Sequence, residues 1–154
     1  MKIGLIGAGR LGICLALLIE KAGYEVLASD NRVDYINSLQ KGIIDTAEPE
    51  VQQYLSDAKN IEFTTDNIRV ISECDLIFTL VATPSLADGS YDVSAVWKVI
   101  DDFKDIPILL DEKSLVIGCT TNPGDCNDFQ EALKILVLIS FTTQNLLHRV
   151  QSLQ

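Results

Sequence analysis

Apolar and polar positions along this chain switch repeatedly between a strand period and a helix period. A short apolar run predicts a strand at residues 2–6, ended by a cluster of glycines. From 11 to 22 the apolar residues recur at helical spacing, and Gly23 stands where a helix C-cap belongs. A second strand is expected at 25–29, then a helix at 33–41 closed by Gly42. After a connection at 43–47, residues 48–55 predict a short helix with Pro49 in its first turn. A third strand at 61–64 leads through Thr65-Asp66, a helix cap, into a helix ending near Ser72. Residues 75–81 are apolar enough for a strand buried on both faces. A loop at 82–91, a helix at 92–103, a strand at 115–118 and a helix at 123–133 complete the series. Strands alternating with helices imply right-handed βαβ units, so the fold class is α/β, a doubly wound parallel sheet.

Composition narrows the partners. The chain has 154 residues, room for one domain, with 47% hydrophobic and 22% charged residues, as expected of a globular protein. Lys and Arg total 12 against 22 Asp and Glu, a formal charge of −10 that repels phosphodiester backbones and anionic lipid. Neither nucleic acid nor a membrane surface is an expected partner. No apolar stretch approaches the roughly 20 residues of a membrane span. Glycines at 4, 7, 9 and 12 and Arg10 break the only run that imitates a leader, so a cytoplasmic protein is expected. Cys14, Cys74, Cys119 and Cys126 form no Cys-x-x-Cys pair and His148 is the single histidine, so no metal site is expected. The cysteines read as reduced, packed thiols.

The chemistry concentrates at Gly7-Ala8-Gly9-Arg10-Leu11-Gly12. A Gly-x-Gly-x-x-Gly run is weak alone. Here it follows a strand, opens a helix and has an acid, Asp30, about 20 residues on at the end of the next strand. Gly7 permits the tight turn, Gly9 lets backbone amides approach a pyrophosphate, and Gly12 lets the helix pack on the sheet. Asp30 can accept from the adenosine ribose hydroxyls and opposes a 2′-phosphate, which favours NAD over NADP. Arg32 works against that preference, because an arginine can pair with such a phosphate. The plainer alternative is a glycine turn with a solvated Asp30. The assembled βαβ context favours the Rossmann NAD-binding reading.

Five segments together resemble the UDP-glucose/GDP-mannose dehydrogenase family. They are residues 1–12 with Asp30; 39–55 with Gly42, Glu48 and Pro49; Phe63-Thr64-Thr65-Asp66; Val81-Ala82-Thr83-Pro84 with Gly89 and Asp92; and Cys119-Thr120-Thr121-Asn122-Pro123-Gly124. Order and spacing agree over residues 1–134. The resemblance implies a nucleotide-sugar 6-dehydrogenase, UDP-glucose being the expected substrate, with NAD as oxidant. It places Leu11 and Asp30 on the NAD, Thr83 beside its nicotinamide half, and Thr120 at an active-site water. As isolated residues, Thr83 and Thr120 would read as strand-end hydroxyls bonded to local backbone. Departures from the family pattern are Tyr35 for a lysine near the ribose, Asp45 for a proline, Glu50 for a glycine and Cys119 for a serine.

The resemblance also implies what the chain lacks. The family oxidises the sugar C6 alcohol twice through a cysteine thioester, using a cysteine, lysine, asparagine and aspartate from later segments. Cys119 and Cys126 do not match that nucleophile, so this chain alone is expected to be inactive. Residues 135–154 depart from the family, and the sheet is expected to be incomplete at the C-terminus. Suitable codons for residues 141–149, read in another frame, spell Tyr-Asn-Pro-Glu-Phe-Ile-Ala-Gln, which contains the Asn-Pro-Glu-Phe the family carries here. A frameshift between about 133 and 140 is therefore the expected origin of the tail. The rival expectation is a stand-alone dinucleotide-binding or partner-binding module without catalysis, and a homo-oligomer is left open.

Overall fold

The computed structural model describes residues 1–106 and 113–133. The out-of-frame tail expected over 135–154 lies outside the described residues. Five strands, β1 (Lys2–Ile6), β2 (Glu25–Ser29), β3 (Ile61–Thr64), β4 (Leu76–Thr79) and β5 (Ser114–Ile117), form one sheet in the order β3-β2-β1-β4-β5. All four pairings are parallel. The doubly wound α/β fold expected from the alternating pattern is what forms.

The helices divide between the two faces, and strand alternation decides which side chains meet them. On one face Leu5, Val26, Ala28 and Phe63 pack against α1 (Arg10–Lys21), α2 (Val33–Gln40) and α3 (Val51–Asp57). On the other, Ile6, Leu27, Ile77, Leu115 and Ile117 pack against α4 (Asn67–Glu73), α5 (Ser94–Lys104) and α6 (Asp125–Leu133). In α1, Ile13, Ala16 and Leu17 make the inward stripe at the spacing a helix needs. Gly23 follows the helix with φ +95°, and its amide donates to Glu20, closing the C-terminus. Asp66 caps α4 by accepting from the Arg69 amide at 3.2 Å.

Several expected boundaries shift, each for a local reason. The helix expected at 48–55 is α3 and starts at Val51, so Pro49 lies before it and not in its first turn. Glu50 precedes that helix with φ 64°, a left-handed conformation. The strand expected at 75–81 is β4 and ends at Thr79, because the chain turns away where Leu80 meets the glycine turn. Nor is β4 buried on both faces. Ile77 and Thr79 are buried, whereas Leu76 and Phe78 line an open apolar groove with Leu18, Ile19 and Tyr24. Residues 92 and 93 lie outside α5, with Asp92 accepting from the Ser94 amide at 2.9 Å. Residues 123 and 124 are likewise a turn before α6. The fifth strand begins and ends one residue earlier than 115–118. The reduced thiols are as expected: all four cysteines are free, Cys74 buried and the others half-buried.

Glu50 holds a backbone conformation that costs a non-glycine residue about 1 kcal/mol or more. Its side chain offsets little: among the described residues it accepts one hydrogen bond, from the Tyr54 hydroxyl at 3.2 Å. Glu50→Gly is therefore expected to raise stability by about 1 kcal/mol, read as a higher denaturant midpoint. An unchanged or lower midpoint would show that the strain at residue 50 is not felt by the fold.

Candidate dinucleotide site

The glycine turn, Asp30 and the loops after β4 and β5 all sit at the carboxyl ends of the strands. There β1 is flanked by β2 and β4, so the connections leave in opposite directions and open a crevice. Gly7 and Ala8 both donate to the Ser29 carbonyl, at 2.9 and 2.8 Å, which ties the turn to the end of β2. Gly7 has φ +97°, and a Cβ there would lie 2.6 Å from the Leu80 carbonyl oxygen. A Cβ on Gly12 would collide with the Gly7 carbonyl oxygen. Gly9 differs: only Arg32 Nη2, at 3.9 Å, approaches its Cβ position, so the space beside it is open to a ligand.

The first helical hydrogen bond of α1 runs from the Ile13 amide to the Gly9 carbonyl, and no side chain caps the helix. The amides of Arg10, Leu11 and Gly12 precede that bond and point toward the opening, the arrangement that receives a pyrophosphate. The Leu11 side chain beside them is 66% exposed. Arg10 reaches Glu48 at 3.4 Å, bringing the loop before α3 to the same helix end.

Asp30 is buried, 8% exposed, and is already engaged. Its Oδ1 accepts from the Arg32 amide at 3.1 Å and Arg32 Nε at 2.8 Å, and Oδ2 accepts from Arg32 Nη2 at 2.9 Å. The Asp30 carboxylate raises the Arg32 pKa further above its ordinary value. The guanidinium lies 4.1 Å from the centre of the Tyr35 ring. Burial pushes the Tyr35 hydroxyl pKa up, so the ring is neutral beneath its cation. This three-residue arrangement was not legible in advance, although the i, i+2 spacing of Asp30 and Arg32 was its signal.

Thr83 and Thr120 lie on the two loops across the crevice, half-buried and exposed respectively. Asn122, which belongs to the fifth of the family-like segments but carries no expected role, joins those loops. Its Oδ1 accepts from the Tyr91 amide at 2.8 Å, and its Nδ2 donates to the Tyr91 carbonyl at 2.9 Å. The Asn122 amide and Nδ2 both donate to Asp125 Oδ2, at 2.7 and 3.0 Å. One amide side chain thus imitates a strand pairing and fixes the Thr120 loop to the Thr83 loop. The Gly118 amide adds a bond to the Thr79 carbonyl at 2.8 Å.

Cys119 is packed among the apolar residues behind the crevice, where burial pushes its thiol up to about 11. At neutral pH it is a protonated packing residue, not a nucleophile. Cys126 makes a 3.6 Å contact with the Thr121 hydroxyl. Among the described residues, no three His, Cys, Asp or Glu side chains group to hold a metal, and no helix is long and apolar enough to cross a membrane. A cavity of about 690 Å³ at the β3 edge is lined by residues such as Gln40, Glu62 and Arg69, none of them in the crevice.

The family model for the NAD-binding domain of UDP-glucose/GDP-mannose dehydrogenases matches residues 1–138. The chain belongs to the UDP-glucose/GDP-mannose dehydrogenase family. It is 32% identical over 124 residues to the Bacillus subtilis protein YtcA, covering 80% of this chain and 28% of YtcA. It is 30% identical over 138 residues to the UDP-glucose 6-dehydrogenase of Rickettsia bellii, covering 87% of this chain and 31% of that enzyme. Among solved structures, the GDP-mannose dehydrogenase of Pseudomonas aeruginosa superposes with a TM-score of 0.80 at 22% identity, over 89% of this chain and 35% of that one. The chain therefore spans less than a third of the curated relatives just described and carries the family's NAD-binding domain. The open face of Gly9, the free amides at the head of α1 and the buried Asp30 fit NAD as that domain's ligand.

Proposed function

We propose that this chain is the dinucleotide-holding part of an NAD-dependent nucleotide-sugar 6-dehydrogenase, the sugar nucleotide being UDP-glucose. The observation that carries the reading is convergence: the family match falls on a crevice where the glycine turn, Asp30 and both threonine loops meet. In this reading Gly7, Gly9, Leu11 and Gly12 seat the pyrophosphate on the head of α1, and Asp30 faces the adenosine ribose. Thr83 borders the nicotinamide half, and Thr120 holds a water near the reacting carbon. NAD, once bound, accepts hydride. The chain's own contribution is to bind and orient it. Oxidation to the acid also requires a thiolate facing the sugar, and Cys119, protonated and packed, does not supply one. The 154-residue chain is therefore read as binding NAD without turning over UDP-glucose.

Calorimetry and thermal unfolding test this. NAD at 100 times its Kd should stabilise the chain by about 2.7 kcal/mol, a rise in Tm of roughly 5–10 °C for a domain of this size. UDP-glucose with NAD should give no NADH absorbance. Absence of any NAD binding would overturn the binding assignment, and steady NADH production would overturn the inactivity. Sequencing the coding DNA past codon 125 tests the frameshift, which predicts Asn-Pro-Glu-Phe in another frame.

A further inference from the structure

We propose that Arg32 sets the preference between NAD and its 2′-phosphorylated form, and that it lets this site accept NADP as well as NAD. The inference rests on the dinucleotide reading above and deepens it. A carboxylate offers about four acceptor positions. Arg32 fills three of those on Asp30, two at Oδ1 and one at Oδ2. An adenosine ribose brings two hydroxyl donors, so it cannot bond fully to Asp30 while the fork is closed. The acid that would select NAD is thus partly spent, and its charge is balanced within the pair.

The cation is placed where the selection is made. Arg32 Nη2 lies 3.9 Å from the Cβ position of Gly9, so the guanidinium overhangs the turn that receives the pyrophosphate. The Tyr35 ring beneath it holds the guanidinium plane in place. With Nε and one Nη2 hydrogen on Asp30, both Nη1 hydrogens and the second Nη2 hydrogen have no hydrogen-bond partner among the described residues. The side chain is 56% exposed, open to an incoming ligand. A 2′-phosphate arriving beside Asp30 meets a planar donor set, not a bare carboxylate.

The test is a pair of binding constants, for NAD and for NADP, measured by calorimetry on the full chain and on Arg32→Ala. The proposal expects wild-type protein to bind both, with NADP no more than about tenfold weaker. It expects the ratio Kd(NADP)/Kd(NAD) to rise at least tenfold in Arg32→Ala, because Asp30 is then uncovered. Arg32→Lys, which keeps the charge, should hold the ratio within about threefold of wild type. A ratio that is unchanged or lower in Arg32→Ala overturns the proposal while leaving NAD binding intact. Wild-type chain that binds NAD and rejects NADP outright also overturns it. Wild-type chain that binds neither would overturn the dinucleotide reading and this inference together.

Discussion

Gly12→Ala is expected to destabilise the domain by about 3 kcal/mol, at the upper end for overpacking at a rigid contact. The new methyl would collide with the Gly7 carbonyl oxygen and press on Leu5 Cδ2 at 3.2 Å. That carbonyl cannot retreat, because the Gly7 and Ala8 amides anchor the turn to Ser29. Alanine is the better helix former by about 1 kcal/mol, so the loss would be seen against a favourable background. In a domain whose whole stability is of order 5–15 kcal/mol, Tm should fall by roughly 10 °C. NAD affinity should fall with it, since the displaced turn carries the free amides of α1. Gly9→Ala is the contrast. Gly9 has φ −63° and empty space around its Cβ position, so its stability should stay within about 0.5 kcal/mol of wild type. Only NAD binding should suffer, by tenfold or more, as the methyl meets the pyrophosphate. Equal midpoints for Gly12→Ala and wild type would refute this division of labour between two glycines of one motif.

That division was half legible in the sequence. The Gly-x-Gly-x-x-Gly spacing, the strand before it and the acid after it located the turn, because each is a local demand on adjacent residues. Among the described residues, the five strands and six helices also appear in the expected order; the first three strands fall at their expected bounds, and no other edge is displaced by more than three residues. Local capping explains the shifts: Asp92 serves the Ser94 amide from outside α5, and Pro49 precedes a left-handed Glu50. The contacts that organise the site were hidden by distance along the chain. Asn122 bonds to Tyr91, 31 residues earlier, which no local pattern announces. Arg32 and Asp30 are two residues apart, yet the spacing alone does not show the fork between them or the stacking of its guanidinium on Tyr35 of the next helix. β4 read as buried on both faces because its composition is apolar, but composition does not say which neighbours cover it.

Phe129→Ala is expected to cost about 4 kcal/mol, the range for removing a buried phenylalanine. Phe129 is fully buried in α6 and meets Trp97 of α5 edge to face, with centroids 4.8 Å apart and planes at 79°. Such a pair adds to simple area burial by about 1 kcal/mol. Among the described residues of α6, Phe129 and Leu133 are the buried ones, and their packing against α5 and the sheet holds the helix in place. Its start also bears on the site: Asp125, the first residue of α6, accepts from Asn122, which joins the loops of Thr120 and Thr83. Loosening α6 should therefore weaken the crevice as well as the core. Trp97 is the chain's single tryptophan, so its emission reports on the packing of α5 against α6 and should shift to the red. Phe129→Leu, which keeps most of the volume, should cost no more than about 1.5 kcal/mol. A loss below about 1 kcal/mol in Phe129→Ala, with unshifted Trp97 emission, would mean that α6 is not part of the cooperative fold. The loops of the crevice would then have to be ordered by something other than the helix that follows them.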